Sequence, residues 1–455
     1  MRISYWTAVV AVLVAAFTCL ATASTATAAD LQQPMSVQQA QFTESYPYFS
    51  PEEGGGKAAD EEAASATACD IGCGACEPEA TCGGGCGKAS ACGLGDFGCL
   101  KGSGIDVGGW VSAGLYTNTY GVNSGSGNGP LGFNNVSDGF TMNQLWIYAE
   151  RSADTGGYGT DWGFRADYVF GVDGPDTQAF GDGGWDSGWN SSRDYGSAIP
   201  QLYVELAINE LRIKMGHFYT NIGWEVVPAP DNFFYSHAYT MYYGEPFTHT
   251  GFLAEMPVCD GITGFAGWTM GWDSGFENNN DASTFLGGLT TELCDGVTAV
   301  WAVTAGDWGT PGGVDAGDIF MNSICLELAL TDNLTYIFQH DLGVNSGLGA
   351  GNSEWYGINQ YFLYKINECW GAGMRFEWFN DEDGARVVLP TGGAIGDGSY
   401  YNVTAGLNWS PCESVMIRPE IRYDSFDGTV TGTAPFNNGA DINQFSGGFD
   451  VIYTF

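Results

Sequence analysis

Trp370-Gly371-Ala372-Gly373-Met374-Arg375-Phe376-Glu377-Trp378 decides the fold. Successive side chains of an extended chain point to opposite faces. Trp370, Ala372, Met374, Phe376 and Trp378 therefore share one face, and Gly371, Gly373, Arg375 and Glu377 share the other. The first face is aromatic and apolar; the second is small and charged. The same texture recurs outward in both directions. Trp162, Phe164, Ala166, Tyr168 and Phe170 oppose Gly163, Arg165 and Asp167, and Leu202, Val204, Leu206 and Ile208 oppose Tyr203 and Glu205. Leu211, Ile213 and Met215 alternate with Arg212 and Lys214, while Val415, Ile417, Pro419, Ile421 and Tyr423 oppose Arg418, Glu420, Arg422 and Asp424. In water, so many outward rings would be an aggregation hazard. In a bilayer they are the apolar band and aromatic girdles of a spanning strand.

The connections between these runs come in two kinds. Asn209-Glu210, Cys259-Asp260-Gly261, Cys294-Asp295-Gly296, Thr331-Asp332-Asn333, Asn367-Glu368-Cys369 and residues 410–414 make very short turns, and Asp-Gly is a strong hairpin signal. Residues 121–138, 173–198, 381–398 and 428–440 are long and rich in Gly, Asn and Asp. Short turns at one end and long polar loops at the other describe a transmembrane antiparallel β-barrel. The runs from 105 to 455 predict about sixteen strands, an even number as such barrels require. The final run puts Phe445, Gly447, Phe449, Val451, Tyr453 and Phe455 on the outward face. A terminal Phe455 on such a strand resembles the signal that outer-membrane barrels present to their assembly machinery.

Composition agrees. The 455 residues include 69 Gly, 15 Trp, 23 Tyr and 27 Phe, with 53 Asp and Glu against 14 Lys and Arg. A net charge of −39 excludes nucleic acid as a partner, since phosphate contacts need clustered cations. A mean hydropathy of −0.08 in so aromatic a chain is what alternation produces.

The N-terminal residues point to export. Arg2, an apolar run from Ala8 to Leu20 and Ala26-Thr27-Ala28 predict a signal peptide over 1–28. Residues 29–68 read as a polar linker. Residues 69–103 form an irregular Cys-rich segment with Cys69, Cys73, Cys76, Cys82, Cys86, Cys92 and Cys99. Cys73-x-x-Cys76 fits half a zinc site, but an oxidising compartment favours disulfides, one of them intermolecular because the count is odd. Cys259, Cys294, Cys369 and Cys412 sit in the short turns and are expected to pair between neighbouring hairpins. Cys325 points inward with Glu327, either paired or as a buried thiol.

These residues resemble a known family. Gly109-Trp110-Val111-Ser112-Ala113-Gly114 is similar to the first strand of the β-barrel porin-2 (OmpL-like) family. Asn143-Gln144-Leu145-Trp146-Ile147-Tyr148, Gly163-Phe164-Arg165-Ala166-Asp167 and Gln201-Leu202-Tyr203-Val204 are similar to further stretches, as is the run from Ile213 through Gly216-His217-Phe218 to Phe247. The resemblance spans residues 104–455 and implies an outer-membrane porin. The composition and the Cys-rich leader also resemble exported proteins of Planctomycetes-type bacteria.

The scarce cations fall inside. Arg165, Arg212, Lys214, Lys365, Arg375, Arg418 and Arg422 take lumen positions, accompanied by Asp167, Glu205, Glu327, Glu377 and Glu420. They form either a charge filter lining the pore or structural salt bridges. Residues 220–247 are the expected constriction: Trp224, Phe234, Tyr239 and Tyr243 favour folding inward away from water, leaving Glu225, Asp231 and Glu245 at an eyelet. Asp381-Glu382-Asp383-Gly384 and the acids near Asp182 and Asp186 lack full EF-hand spacing and read as solvated loops.

With no His-Glu-x-x-His or Gly-x-Ser-x-Gly motif among its residues, the chain reads as a non-enzyme needing neither metal nor cofactor. The expected function is passive diffusion of small hydrophilic solutes or ions across the outer membrane, with weak cation preference. Oligosaccharide selectivity follows if the aromatic segment forms a stacking track. The alternative is a structural or surface-display barrel cross-linked through the Cys-rich segment. Expected partners are outer-membrane lipid, the barrel-assembly machinery, and further copies in a homo-oligomer or disulfide-linked multimer.

Overall fold

The computed structural model describes residues 103–121, 127–137, 139–179, 185–186, 188–189, 194–277, 281–310, 315–347, 352–389 and 395–455. The expected signal peptide, linker and nearly all of the Cys-rich segment lie outside the described residues, as does Asp182.

The strands in chain order are β1 (Asp106–Asn118), β2 (Phe140–Arg151), β3 (Thr160–Gly171), β4 (Gly196–Ala198), β5 (Leu202–Ile208), β6 (Leu211–Tyr219), β7 (Thr248–Cys259), β8 (Ile262–Thr269) and β9 (Ser283–Cys294). They continue as β10 (Val297–Asp307), β11 (Asp318–Thr331), β12 (Leu334–Asn345), β13 (Ser353–Asn367), β14 (Trp370–Asp381), β15 (Gly398–Cys412), β16 (Val415–Gly428) and β17 (Asn443–Thr454). β4 and β5 both pair with β3, at Val169–Gly171 and Thr160–Ala166 respectively. They share one place in the wall, interrupted at Pro200, which has no N–H to give a ladder. The antiparallel sheet therefore closes with sixteen wall positions, sealed where β17 pairs β1. Phe455 and Gly109 exchange main-chain hydrogen bonds of 2.9 and 3.0 Å across that seam.

The two ends differ as expected. Ile208↔Leu211, Cys259↔Ile262, Cys294↔Val297, Thr331↔Leu334, Asn367↔Trp370 and Cys412↔Val415 each close a two-residue turn. Gly261 and Gly296 occupy the second turn position with φ of +73° and +74°, where a Cβ is disfavoured. Outward Trp162, Trp268, Phe285, Trp301, Trp370, Phe445 and Tyr453 are exposed and make the lipid-facing band.

Part of the lumen is filled by apolar side chains. Inward Phe218, Leu253, Phe265, Leu286, Ile319 and Met321 on β6–β11 are buried, in one cluster with Ile222, Tyr235, Tyr239 and Tyr243 of the 220–247 segment. The inward glycines have a matching reason: a Cβ at Gly373 would overlap the Phe233 ring and one at Gly357 would overlap Thr240.

Candidate functional site

The site is built around the segment between β6 and β7. Thr220 N–H donates to Phe247 O at 3.0 Å, closing its neck. Pro228 and Pro230 cannot continue a ladder, and the chain makes a 3-10 turn at Ala229–Asp231. Asn232 holds this bend by donating from Nδ2 to Val226 O (2.6 Å) and Pro228 O (3.0 Å). A single π turn, Thr240–Gly244, leads back toward the wall. Phe233, Phe234, Tyr235, Tyr239 and Tyr243 are all buried, so the rings do fold inward.

One arc of the wall grips the segment through charge. Arg375 of β14 donates to Glu225 Oε1 at 2.6 Å, Ser236 O at 2.7 Å and Ser236 Oγ at 3.1 Å. Arg418 of β16 donates to the carbonyls of Ala229 (2.8 Å), Asn232 (2.6 Å) and Phe234 (3.1 Å) while paired to Asp450 at 2.7 Å. Arg422 reaches His237 O at 2.5 Å and pairs with Asp424. Acids on the same strands take the N–H groups. Glu420 accepts from Tyr235 N (2.8 Å) and Ser236 N (3.2 Å), and Glu377 from Tyr239 N (3.0 Å) and Thr240 N (2.6 Å). Arg375, Arg418, Arg422, Glu377 and Glu420 do face inward, but as clamps they are buried. Of the two alternatives open to them, a charge filter or structural salt bridges, this burial matches the second. Backbone groups buried in a lumen must find partners, and these side chains supply them.

Glu225 and Glu245 are likewise buried, which corrects their placement at an open eyelet. Burial alone would raise the Glu225 carboxyl, but Arg375 and His237 hold it down at about 2. Burial pushes Asp231 up to about 6. Asp273, also pushed up to about 6 by burial, accepts the N–H groups of Phe247 (2.7 Å) and Thr248 (2.8 Å) and fixes the segment's exit. Trp224 is half-buried against Tyr361.

Nearer the short turns the lumen holds a second, half-buried layer. Arg165 pairs with Glu150 (2.7 Å) and Asp167 (2.8 Å) and stacks over Tyr148. Arg212 pairs with Glu205 at 3.7 Å, Lys214 lies over Tyr203, and Lys365 meets Glu368 at 2.9 Å. Glu327 and Glu255 face the same space on β11 and β7.

At the long-loop end a group appears that the sequence reasoning missed. Arg386 of the 381–398 loop sits 4.9, 5.8 and 4.6 Å from the ring centres of Trp272, Trp308 and Trp355 and donates to Tyr243 O at 2.7 Å. The available signal was Trp355: its parity on β13 is inward, where a ring that size needs a packing partner.

Residues 104–455 match the model of the family described as "Putative beta-barrel porin-2, OmpL-like". The chain belongs to this family. As a porin-2 barrel, it is an outer-membrane protein. Solved structures share the fold at low identity. An anion-selective porin from Comamonas acidovorans is 9% identical, with TM-score 0.51 over 77% of this chain and 99% of its own. The outer membrane channel DcaP of Acinetobacter baumannii is 11% identical, with TM-score 0.53 over 77% and 97%. OmpF of Salmonella typhi, in complex with daunomycin, is 11% identical, with TM-score 0.51 over the same shares. No curated protein sequence matches.

Two further expectations meet this porin-2 barrel. Cys259, Cys325 and Cys412 carry free thiols, while Cys369 is disulfide-bonded; Cys69, Cys73, Cys76, Cys82, Cys86, Cys92 and Cys99 lie outside the described residues. For Cys259 and Cys412, pairing between neighbouring turns is thereby corrected. Cys259 and Cys294 end β7 and β9, two strands apart at about 9.6 Å by the usual spacing, beyond the ~7 Å Cα limit of a disulfide. Cys412 lies one strand from Cys369, whose carbonyl accepts Ser410 N–H at 2.9 Å, so distance does not account for its free thiol. Of the loop acids, Glu382 and Asp383 are exposed, whereas Asp381 and Asp186 are buried and organise backbone. Asp381 accepts from Ala385, Arg386 and Val387 N–H groups, and Asp186 from those of Ala179 and Ile199. No group of three or more metal-binding side chains occurs among the described residues.

Proposed function

We propose that this barrel is a passive outer-membrane channel for small hydrophilic solutes, in which the 220–247 segment sets the barrier. The observation that carries the reading is the segment's asymmetric attachment. Arg375, Arg418 and Arg422 bolt it to β14 and β16, whereas Ile222 meets β6–β11 in an apolar cluster. A path between segment and wall therefore opens on the β6–β11 side, where apolar contact is lost together with the hydrogen bond from Gly223 N–H to Ser323 Oγ of β11 (3.3 Å). The half-buried charged layer lies beneath it. The net charge of −39 enriches cations at the mouths over about a Debye length, giving weak cation preference at low salt. Deleting 231–243 should raise single-channel conductance several-fold; unchanged conductance would refute the barrier. A bilayer reversal potential favouring anions would refute the ion preference.

A second reading is supported by the buried lumen: a structural envelope barrel cross-linked through its Cys-rich leader. Thiol-dependent multimers on non-reducing gels, with no conductance from reduced protein, would favour it over the channel.

A further inference from the structure

The carboxyls that meet the inserted segment differ in their company. Glu225 faces Arg375, and Glu377 and Glu420 receive backbone N–H groups. Glu245, at the end of the segment, and Asp341, on β12, have no such help. Both are buried, with exposures of 3% and 0%. Gln339 Nε2 donates to Asp341 Oδ2 at 2.8 Å and also to Glu245 Oε1. Asp341 Oδ1 has no hydrogen-bond partner. None of the ion pairs among the described residues reaches either carboxyl. The other polar groups around them are Ser323, Cys325 and His340 from the wall and Glu225 from the segment. Gly223 is where the segment's start meets its end: a Cβ there would overlap the Glu245 carboxyl.

A glutamine amide and the Ser323 hydroxyl cannot balance two negative charges in a buried site, and neighbouring buried carboxyls resolve the conflict by keeping a proton between them. We propose that Glu245 and Asp341 share one proton in the closed barrel, and that this proton latches the segment to β12 as a pH-dependent gate. The inference rests on the segment being the barrier. Burial and the neighbouring Asp341 charge push the Glu245 carboxyl well above its ordinary range. In an opened barrel the Glu245 carboxyl meets water and returns to the ordinary carboxylate range. Below that range the latch is at full strength. Above it the closed form holds one proton more than the open form, so rising pH favours opening. The open-to-closed ratio then grows by up to about tenfold per pH unit until the raised closed-state value is passed.

The test compares planar-bilayer recordings of the full chain, Glu245→Gln, Asp341→Asn and the 231–243 deletion between about pH 5 and pH 8. Heat-modifiable gel migration confirms that each barrel is folded. The unaltered chain should open increasingly as pH rises. Each neutral variant should stay closed and flat with pH, because an amide keeps hydrogen bonding without a charge to release. Variants that titrate like the unaltered chain would overturn the latch, as would a flat unaltered chain beside a conducting deletion. A deletion that conducts no better than the unaltered chain overturns the barrier itself, so the two failures are distinct. Closure that depends on added Ca²⁺ at fixed pH, and is lost with chelator, would also overturn the shared proton, since the pair would then hold a cation.

Discussion

Replacing Arg375 with methionine keeps an unbranched stem and removes the guanidinium that holds the segment to β14. Glu225 is held at about 2 rather than 4.5, with burial opposing and Arg375 leading the attraction. At 1.36 kcal/mol per tenfold, that difference corresponds to about 3 kcal/mol, within the usual cost of breaking a buried ion pair. If the loss falls on docking of the segment, the closed-to-open ratio drops roughly a hundredfold. Single-channel recording at neutral pH should show frequent open events, and amides of 233–240 should exchange correspondingly faster. Adding Glu225→Gln removes the stranded charge, so Arg375→Met with Glu225→Gln should recover most of the loss. The sign with pH is fixed as well. A depressed carboxyl contributes its stability above its ordinary value and loses it as pH falls toward about 2, so the single variant and the unaltered chain should converge in acid. Arg375→Met with unaltered conductance and exchange would refute the clamp, and so would a double variant as damaged as the sum of its parts.

Other consequences are simpler to check. Gly373→Leu drives a side chain into the space of the Phe233 ring and should cost about 1–3 kcal/mol, read as a lower barrel melting temperature with faster segment exchange. Cys259 is exposed and Cys325 is buried, so an impermeant maleimide should label Cys259 in folded protein and reach Cys325 only after denaturation. Arg386→Gln abandons three tryptophan faces at up to about 2 kcal/mol. It should change tryptophan emission and expose the 381–389 stretch to protease, whereas unchanged emission would deny the stacking.

Strand parity was legible because it is local. Trp370 to Trp378 declared their two faces without knowledge of any neighbour, and the two-residue turns declared their end of the barrel. The inward bend of 220–247 was legible from its rings. What these side chains touch was not. Arg418 reaches Ala229 O, and Glu420 reaches Tyr235 N, across separations of 189 and 185 residues; no spacing rule links such positions. The buried apolar part of the lumen had a trace in the inward parity of Leu253, Phe265, Leu286 and Met321, which the inward charges overshadowed. The pairing of Glu245 with Asp341 had none, since two acids far apart in a strongly acidic chain look like any others.

The seam between the first and last strands has a consequence for assembly in time. Ser112 donates to Asp450 at 2.9 Å across 338 residues, and Asp450 also holds Arg418, the residue that grips Ala229, Asn232 and Phe234. The final strand thus completes both the wall and the anchorage of its contents. Until Phe455 has arrived, the segment lacks part of its footing and the sheet has two open edges. Contacts this distant along a chain form slowly. Before β17 pairs with β1 and β16, the barrel is an unfinished, partly filled cylinder.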